Sequence, residues 1–284
     1  MGFLLRSSNW PLDWPLVAIA GTALLYGLGG RASATASDAA KRWRGVAFYA
    51  GLATLALAVA SPIDAYAGKL FWAHMVQHVL LMMVAPPLLL LGRPWPRLVR
   101  PLPLAARRPL ARGVLVGPRL WRVRTVFRWL GAPAPSFVLF NGTLLLWHVP
   151  TLYSLTLRDG PVHDVEHALF FGTALLFWVH LLPGATSRPR LGDAARAVYA
   201  TGALLVSWVL AIVLGLASGP IYEGYAARAE RPGGLTALAD QQLAAGVMWV
   251  PASVPYCIVL VVVALRWLDP AVGNDRRRRL SVEH

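Results

Sequence analysis

The side chains best suited to chemistry in this sequence are histidines that recur four residues apart. His74 and His78 form one pair, and His163 and His167 form a second. Residues four apart lie about 40° apart around an α-helix, so each pair occupies one helix face. A fifth histidine, His148, lies between the pairs in sequence. Because neutral imidazole is the commonest metal ligand among side chains and suits copper, zinc, iron or nickel, these five histidines predict a metal site.

Carboxylates accompany the histidines at two points. Glu166 lies next to His167, and Asp240 begins the last apolar segment. A carboxylate that accepts the second ring N–H of a ligating histidine fixes the tautomer of that ring, so both residues are predicted partners of the histidines. For Asp240, capping of its own helix is an equal alternative, and for Asp164 it is the prediction, because carboxylates stabilise the free N–H groups of a helix start.

Methionine sulfur adds a softer ligand type. Met248 lies two helical turns after Asp240 and is predicted to be an additional ligand, since thioethers favour Cu(I). Met75 points away from His74 and His78 by its position around the helix, and most membrane methionines only fill packing gaps. The predicted ion is therefore copper, with another transition metal or haem as the open alternative.

The elements that position these side chains are predicted to be membrane helices. Of 284 residues, 57% are hydrophobic and 14% are charged, which indicates that a bilayer is the principal solvent. A helix needs about 20 apolar residues to cross it. Pro86 and Pro87 are predicted to kink the third span. The fold prediction is all-α: one polytopic membrane helix bundle over residues 1–284, with about seven spans at 14–30, 44–60, 69–92, 134–150, 164–182, 194–217 and 240–267.

Arginine and lysine in the connections predict the orientation. The chain has 27 basic and 13 acidic residues and a net charge of +14. Most basic residues fall on one side of seven spans, which the positive-inside rule assigns to the cytoplasm, with the N-terminus outside and the C-terminus cytoplasmic. Residues 93–133 are predicted to be an arginine-rich cytoplasmic loop that prolines keep irregular and that contacts anionic lipids. Nucleic-acid binding is not predicted, because there is no soluble module of interleaved basic and aromatic residues.

Several other chemistries lack the residues they need. Cys257 is the single cysteine, so an intrachain disulfide and a CxxC metal clip are excluded. The sequence has no GxSxG, HExxH, P-loop or GxGxxG signature of an enzyme. The chain is therefore predicted not to be an enzyme.

Three segments resemble a known family. They are HMVQHVLLMMVAPPLLLLGRP (74–94), WHVPTLYSLTLRDGPVHDVEH (147–167) and DQQLAAGVMWVP (240–251). These segments are similar to the multi-span CtaG family of cytochrome c oxidase assembly proteins, which is distinct from the single-span copper chaperone of the same name. The match covers predicted spans three to seven. The recurring residues of the family correspond to the five histidines named above and to Asp240, Gln241, Gln242, Met248 and Trp249.

The resemblance implies an assembly factor for a haem-copper terminal oxidase. Such a protein would hold or deliver copper on the outer side of a bacterial plasma membrane, with oxidase subunits as partners. Two alternatives stay open from the residues themselves. One is a membrane haem or dinuclear-metal redox protein that uses the same histidines, and the other is a structural partner of oxidase subunits whose histidines serve packing.

Overall fold

The structure, a computed structural model, describes residues 14–31, 38–111, 117–182, 191–228 and 231–268. Within these ranges the secondary structure is helical, with no strand, which confirms the all-α prediction for this part of the chain. Both termini lie outside the described residues, so the side of the membrane predicted for each terminus stays a prediction.

The described ranges contain fifteen α-helices, joined in one place by a π-helical turn and in another by a 3-10 turn. The α-helices are α1 (Trp14–Arg31), α2 (Asp38–Val59), α3 (Pro62–Ala67), α4 (Phe71–Val79), α5 (Ala85–Leu91), α6 (Pro94–Val99), α7 (Leu104–Ala111), α8 (Trp121–Leu130), α9 (Pro133–Trp147), α10 (Pro150–Thr156), α11 (Gly160–Leu181), α12 (Asp193–Leu216), α13 (Glu223–Ala226), α14 (Ala237–Trp249) and α15 (Ser253–Leu268).

Four stretches of the described chain are long and apolar enough to cross a membrane. They are Ala39–Ala67, Phe71–Leu91, Asp193–Leu216 and Ala237–Leu268. A fifth candidate is the pair α8 and α9, which meet at 71°. Helix α1 is apolar but shorter, and α11 is not in this group because two histidines and two acidic residues lower the hydropathy of its first turns. The chain is thus a membrane protein whose described residues include four to five candidate spans, and the count of seven stays a prediction.

The prediction that residues 93–133 form an irregular loop is wrong. Helices α6, α7 and α8 lie in this segment. Pro94 occupies the first turn of α6, and Pro118 begins the 3-10 turn before α8. The first N–H groups of a helix have no partner within that helix, so a proline there loses no hydrogen bond. The prolines therefore start helices in this segment rather than only breaking them.

A π-helical turn accommodates the two prolines of the third predicted span. The turn covers Leu80–Val84, between α4 and α5, and Pro86 and Pro87 lie in the first turns of α5. In a regular helix the carbonyl of Met82 would accept the N–H of residue 86, which proline lacks. Trp178 Nε1 on α11 donates to that carbonyl instead, at 2.8 Å. The replacement bond ties the irregular turn to α11.

The main core lies between α4, α9, α11, α12, α14 and α15, and it is rich in aromatic rings. Phe140 and Phe177 stack with centroids 4.1 Å apart, and Trp178 stacks on Tyr256 at 5.7 Å. All four side chains are buried. Because this core packs α4 and α11 into one unit, it brings the faces that carry the two histidine pairs towards each other.

Candidate metal centre

The two histidine pairs meet between α4 and α11. Within each pair the rings are in contact, with centroids 4.3 Å apart for His74 and His78 and 4.0 Å apart for His163 and His167. Across the helices, His74 lies 5.2 Å from His163, and His78 lies 5.8 Å from His167, again between centroids. We call these four histidines with Glu166 the histidine cluster.

Two groups of ligand atoms in this cluster are close enough to share a metal ion. His74, His163 and His167 form one group, and His74, His78 and Glu166 form the other, with the ligand atoms of each group within 4.8 Å of one another. The Glu166 carboxylate lies 3.7 Å from Nε2 of His74 and 3.7 Å from Nε2 of His78. Glu166 was predicted to be either an additional ligand or a hydrogen-bond partner of the histidines, and its position beside them makes it a candidate ligand.

Tyr225 determines which nitrogen of His74 faces the cluster. Its hydroxyl donates to the carbonyl of Ala67 at 2.6 Å and lies 3.0 Å from Nδ1 of His74. A phenol has one proton, so at His74 the hydroxyl accepts, and Nδ1 carries the hydrogen. In the neutral ring, Nε2 then has the free lone pair and points towards Glu166. Tyr225 thus leaves Nε2 as the nitrogen of His74 that is available to a metal ion.

The cluster contains buried polar atoms that lack hydrogen-bond partners. They are His74 Nε2, His78 Nδ1 and Nε2, His167 Nε2 and both carboxylate oxygens of Glu166. Buried polar atoms are normally paired, and an unpaired buried carboxylate is especially costly. A bound cation would satisfy lone pairs on several of these atoms at once. The donor set of imidazole nitrogens and one carboxylate therefore fits a transition-metal ion.

Tyrosines that sequence reasoning missed cover the cluster. Tyr222 and Tyr225 come from the connection between α12 and α14, and Tyr153 comes from α10; all three are buried. Tyr222 donates to the carbonyl of His148 at 3.0 Å. Burial raises the pKa of Tyr222 and of Tyr225 above their usual value of about 10, so both hydroxyls stay protonated and able to donate. The signal in the sequence was the pair of tyrosines in IYEGY, aromatic residues with a polar end within an otherwise polar connection.

His148 lies next to the cluster but belongs to neither ligand group. Its ring centroid is 6.4 Å from that of His78. Its Nδ1 lies 2.7 Å from the carbonyl of Leu144, and its Nε2 lies 3.4 Å from Sδ of Met75. Met248, predicted as an additional ligand, is buried and lines a cavity beside His148. Four of the five predicted histidine ligands are thus together, and the fifth faces a methionine.

Asp240 stabilises the helix that carries His74 and His78. Its two carboxylate oxygens accept the backbone N–H groups of Phe71 and Trp72, at 2.9 and 3.0 Å. Its own helix, α14, is capped by Thr236. The hydrogen bonds of Asp240 therefore go neither to a histidine nor to the start of α14, the two predicted roles. Instead, Asp240 caps the N-terminus of the neighbouring α4, where a carboxylate is favourable.

The remaining predicted polar residues also have defined positions. Gln241 is buried and joins the connection before α13 to the end of α12, accepting from Ile221 N–H at 2.7 Å and donating to Leu214 O at 2.9 Å. Gln242 and Trp249 are exposed. Asp164 is exposed as well, and α11 is capped by Asp159, whose side chain accepts the N–H of Val162 at 3.2 Å. The predicted cap was therefore wrong by five residues, because α11 begins earlier than the predicted span.

These features define a polytopic α-helical membrane protein with a buried cluster of histidines and one carboxylate. The chain belongs to the family of cytochrome c oxidase caa3 assembly factors (Caa3_CtaG), whose family model matches residues 24–269. This match confirms the resemblance found in the sequence.

The curated relatives are longer mycobacterial proteins. The chain is 27% identical over 278 residues to an uncharacterized protein of Mycobacterium bovis and, equally, to one of Mycobacterium tuberculosis, with 94% of this chain and 40% of theirs covered. An uncharacterized protein of Mycobacterium leprae is 26% identical over 274 residues, with 91% and 40% covered. This chain thus spans two fifths of the length of these relatives. No solved structure matches it.

Proposed function

We propose that this protein is a copper-binding assembly factor, without enzymatic activity of its own, for a haem-copper oxidase of the bacterial plasma membrane. Membership of the oxidase assembly family supports the assembly role. The observation that carries the metal part is the convergence of four histidines and Glu166 from α4 and α11 into two ligand groups. Copper is the proposed ion because imidazole suits it and because the oxidase to be assembled needs it.

The geometry favours a single ion over a dinuclear centre. Both ligand groups include His74, and because Nδ1 of His74 is bonded to Tyr225, only Nε2 is available to an ion. The two groups are then alternative positions for one ion. This argues against the dinuclear form of the redox-protein alternative.

A graded exposure of the ligands suits a site that releases its metal. His74, His78 and Glu166 are buried, whereas His163 is only half-buried. The group that contains His163 is therefore the more accessible of the two. An assembly factor needs such an accessible side because its copper is cargo for a partner, whereas a structural metal site is closed. His74, common to both groups, would keep the ion bound at either position.

The partners proposed are oxidase subunits and anionic lipids. Helix α8 exposes Phe127 and Trp129 beside Arg122 and Arg128. Exposed aromatic rings among arginines are typical of a helix that lies on a membrane surface and binds anionic headgroups. This helix meets α9 at 71°, as a surface segment would meet a spanning one.

The test compares two buried histidines in cells that lack their own copy of this protein. His74→Asn removes the ligand that both groups share, whereas His180→Gln changes a histidine near the far end of α11, 3.3 Å from Ser136. We expect His74→Asn to abolish the copper-dependent activity of the oxidase while the chain remains in the membrane. His180→Gln should support assembly as the unaltered chain does.

Metal content provides the second measurement. The purified unaltered chain, loaded anaerobically with Cu(I), should retain copper that His74→Asn loses. Normal oxidase assembly with His74→Asn, together with copper retention equal to that of the unaltered chain, would reject the proposal. A Soret band in the native protein would favour the haem alternative instead.

A further inference from the structure

His148 and Met75 face each other through atoms that both carry lone pairs. Nδ1 of His148 lies 2.7 Å from the carbonyl oxygen of Leu144, which can only accept, so Nδ1 carries the hydrogen. In the neutral ring, Nε2 therefore has the lone pair, and it lies 3.4 Å from Sδ of Met75. Thioether sulfur has no proton to donate. With no hydrogen between them, the two buried atoms do not hydrogen-bond to each other, and each has a lone pair that a metal ion could accept.

The surroundings of this pair are rich in soft ligands. A cavity of about 30 Å³ adjoins it, large enough for a water molecule or an ion. Met75, Met82, Met83 and Met248 line the cavity, and they are four of the five methionines in the chain. Methionines often fill gaps in a core. The contact between a thioether and the free nitrogen of a histidine distinguishes this group from ordinary packing, because packing alone does not require a nitrogen at the sulfur.

We propose that His148 and Met75 form a second metal site, selective for Cu(I), with a third ligand from the methionines of the cavity. Thioether and imidazole ligands together favour Cu(I) over zinc. The separation of 3.4 Å is shorter than the sum of a metal–nitrogen bond of about 2.0 Å and a metal–sulfur bond of about 2.3 Å, so one ion can contact both atoms. This inference rests on the proposed copper-binding function, since it names a second position for the same cargo.

His78 connects the two sites. It belongs to the histidine cluster, and it also lines the methionine cavity. Its ring centroid is 5.8 Å from that of His167 and 6.4 Å from that of His148, and neither of its ring nitrogens has a hydrogen-bond partner. An ion taken up at the histidine cluster, on the side of the half-buried His163, would therefore have one intermediate ligand, His78, on its way to the sulfur site. Of the two sites, the one at the methionine cavity is the more buried, and it is the one proposed to select Cu(I).

The test is X-ray absorption at the copper edge on the purified full chain, loaded anaerobically with Cu(I) in competition with bicinchoninate. We expect copper–sulfur scattering in the unaltered chain. Met75→Leu, which conserves side-chain volume, should reduce that scattering and weaken the sulfur-bound copper at least tenfold. Met83→Leu removes a thioether from the same cavity but not from the pair, and it should lose less copper than Met75→Leu. Equal losses in the two variants would overturn the assignment of Met75.

Two further samples separate this inference from the proposed function. His74→Asn should lose cluster copper and keep the sulfur-bound copper, so persistent copper–sulfur scattering there would support the second site even if oxidase assembly proved normal. Selenomethionine-labelled unaltered chain should give copper–selenium scattering without any substitution. Copper bound only through nitrogen and oxygen in that sample would reject the second site and leave the cluster unaffected.

Discussion

The hydroxyl of Tyr225 lies 3.0 Å from Nδ1 of His74. The same hydroxyl donates to Ala67, so it can only accept from the imidazole. Through this one bond, a residue of the connection between α12 and α14 selects the tautomer of a cluster histidine on α4. The bond also joins the tyrosines that cover the cluster to its histidines, so the metal affinity proposed for the cluster would depend on a residue that is not itself a ligand.

Tyr225→Phe should weaken metal binding without unfolding the protein. The substitution removes only the hydroxyl, and loss of such a partner costs about 10- to 100-fold in metal affinity. Competition with a chromophoric Cu(I) chelator measures the change. Tyr222→Phe is the matched control, because its hydroxyl bonds the backbone of His148 and not a ring nitrogen. An equal loss of cluster copper in both variants would contradict the role given to Tyr225.

Glu166→Gln should have opposite effects on the metal-free and the metal-loaded protein. The carboxyl group is buried and its oxygens have no hydrogen-bond partner, so it ionises in the metal-free chain only at a cost that glutamine avoids, and the unfolding temperature of the metal-free variant should be higher at alkaline pH. The same change removes a candidate ligand and should lower metal affinity by about tenfold or more. Thermal unfolding in detergent, with and without Cu(I), measures both. Glu223→Gln, at an exposed position, should change neither; a fall in the stability of metal-free Glu166→Gln would refute the prediction.

Asp240→Asn should destabilise the helix that carries His74 and His78. Both carboxylate oxygens of Asp240 accept backbone N–H groups of α4, and the amide would turn a donor towards one of them. Hydrogen bonds to charged groups contribute about 1.5–3 kcal/mol, so the free energy of unfolding should fall by about that amount. Asp159→Asn is the control, because asparagine caps a helix as well as aspartate does. Equal stability of the two variants would argue against this cap.

Trp178→Phe should destabilise the π-helical turn next to the methionine cavity. The indole donates to Met82 O, which Pro86 leaves without a helical partner. An unsatisfied buried carbonyl costs about 1–3 kcal/mol, and the lower stability should appear as a lower unfolding temperature. Trp129→Phe, on the exposed side of α8, should leave that temperature unchanged. Faster hydrogen exchange over residues 80–91 in Trp178→Phe alone would locate the effect, and unchanged exchange there would count against it.

Local periodicity was enough to predict much of the histidine cluster. The spacing of His74 with His78, and of His163 with His167, places each pair on one face of its own helix, and the structure brings the two faces together. The same reasoning predicted that Met75 points away from His74 and His78, and in the structure its sulfur contacts His148. It could not identify what Met75 faces, because His148 is 73 residues away and lies on another element.

The amino-acid sequence by itself determined the helical class, the apolar character of the chain, its family and the residue types of the cluster. These follow from composition and from contacts within three or four residues, which every helix imposes on its own side chains. Only the tertiary structure decided that Asp240 caps α4, that Tyr225 orients His74 and that His148 pairs with Met75. Each of these contacts joins residues far apart in sequence. The packing of whole helices sets such contacts, through the combined fit of many side chains, and no local pattern records them.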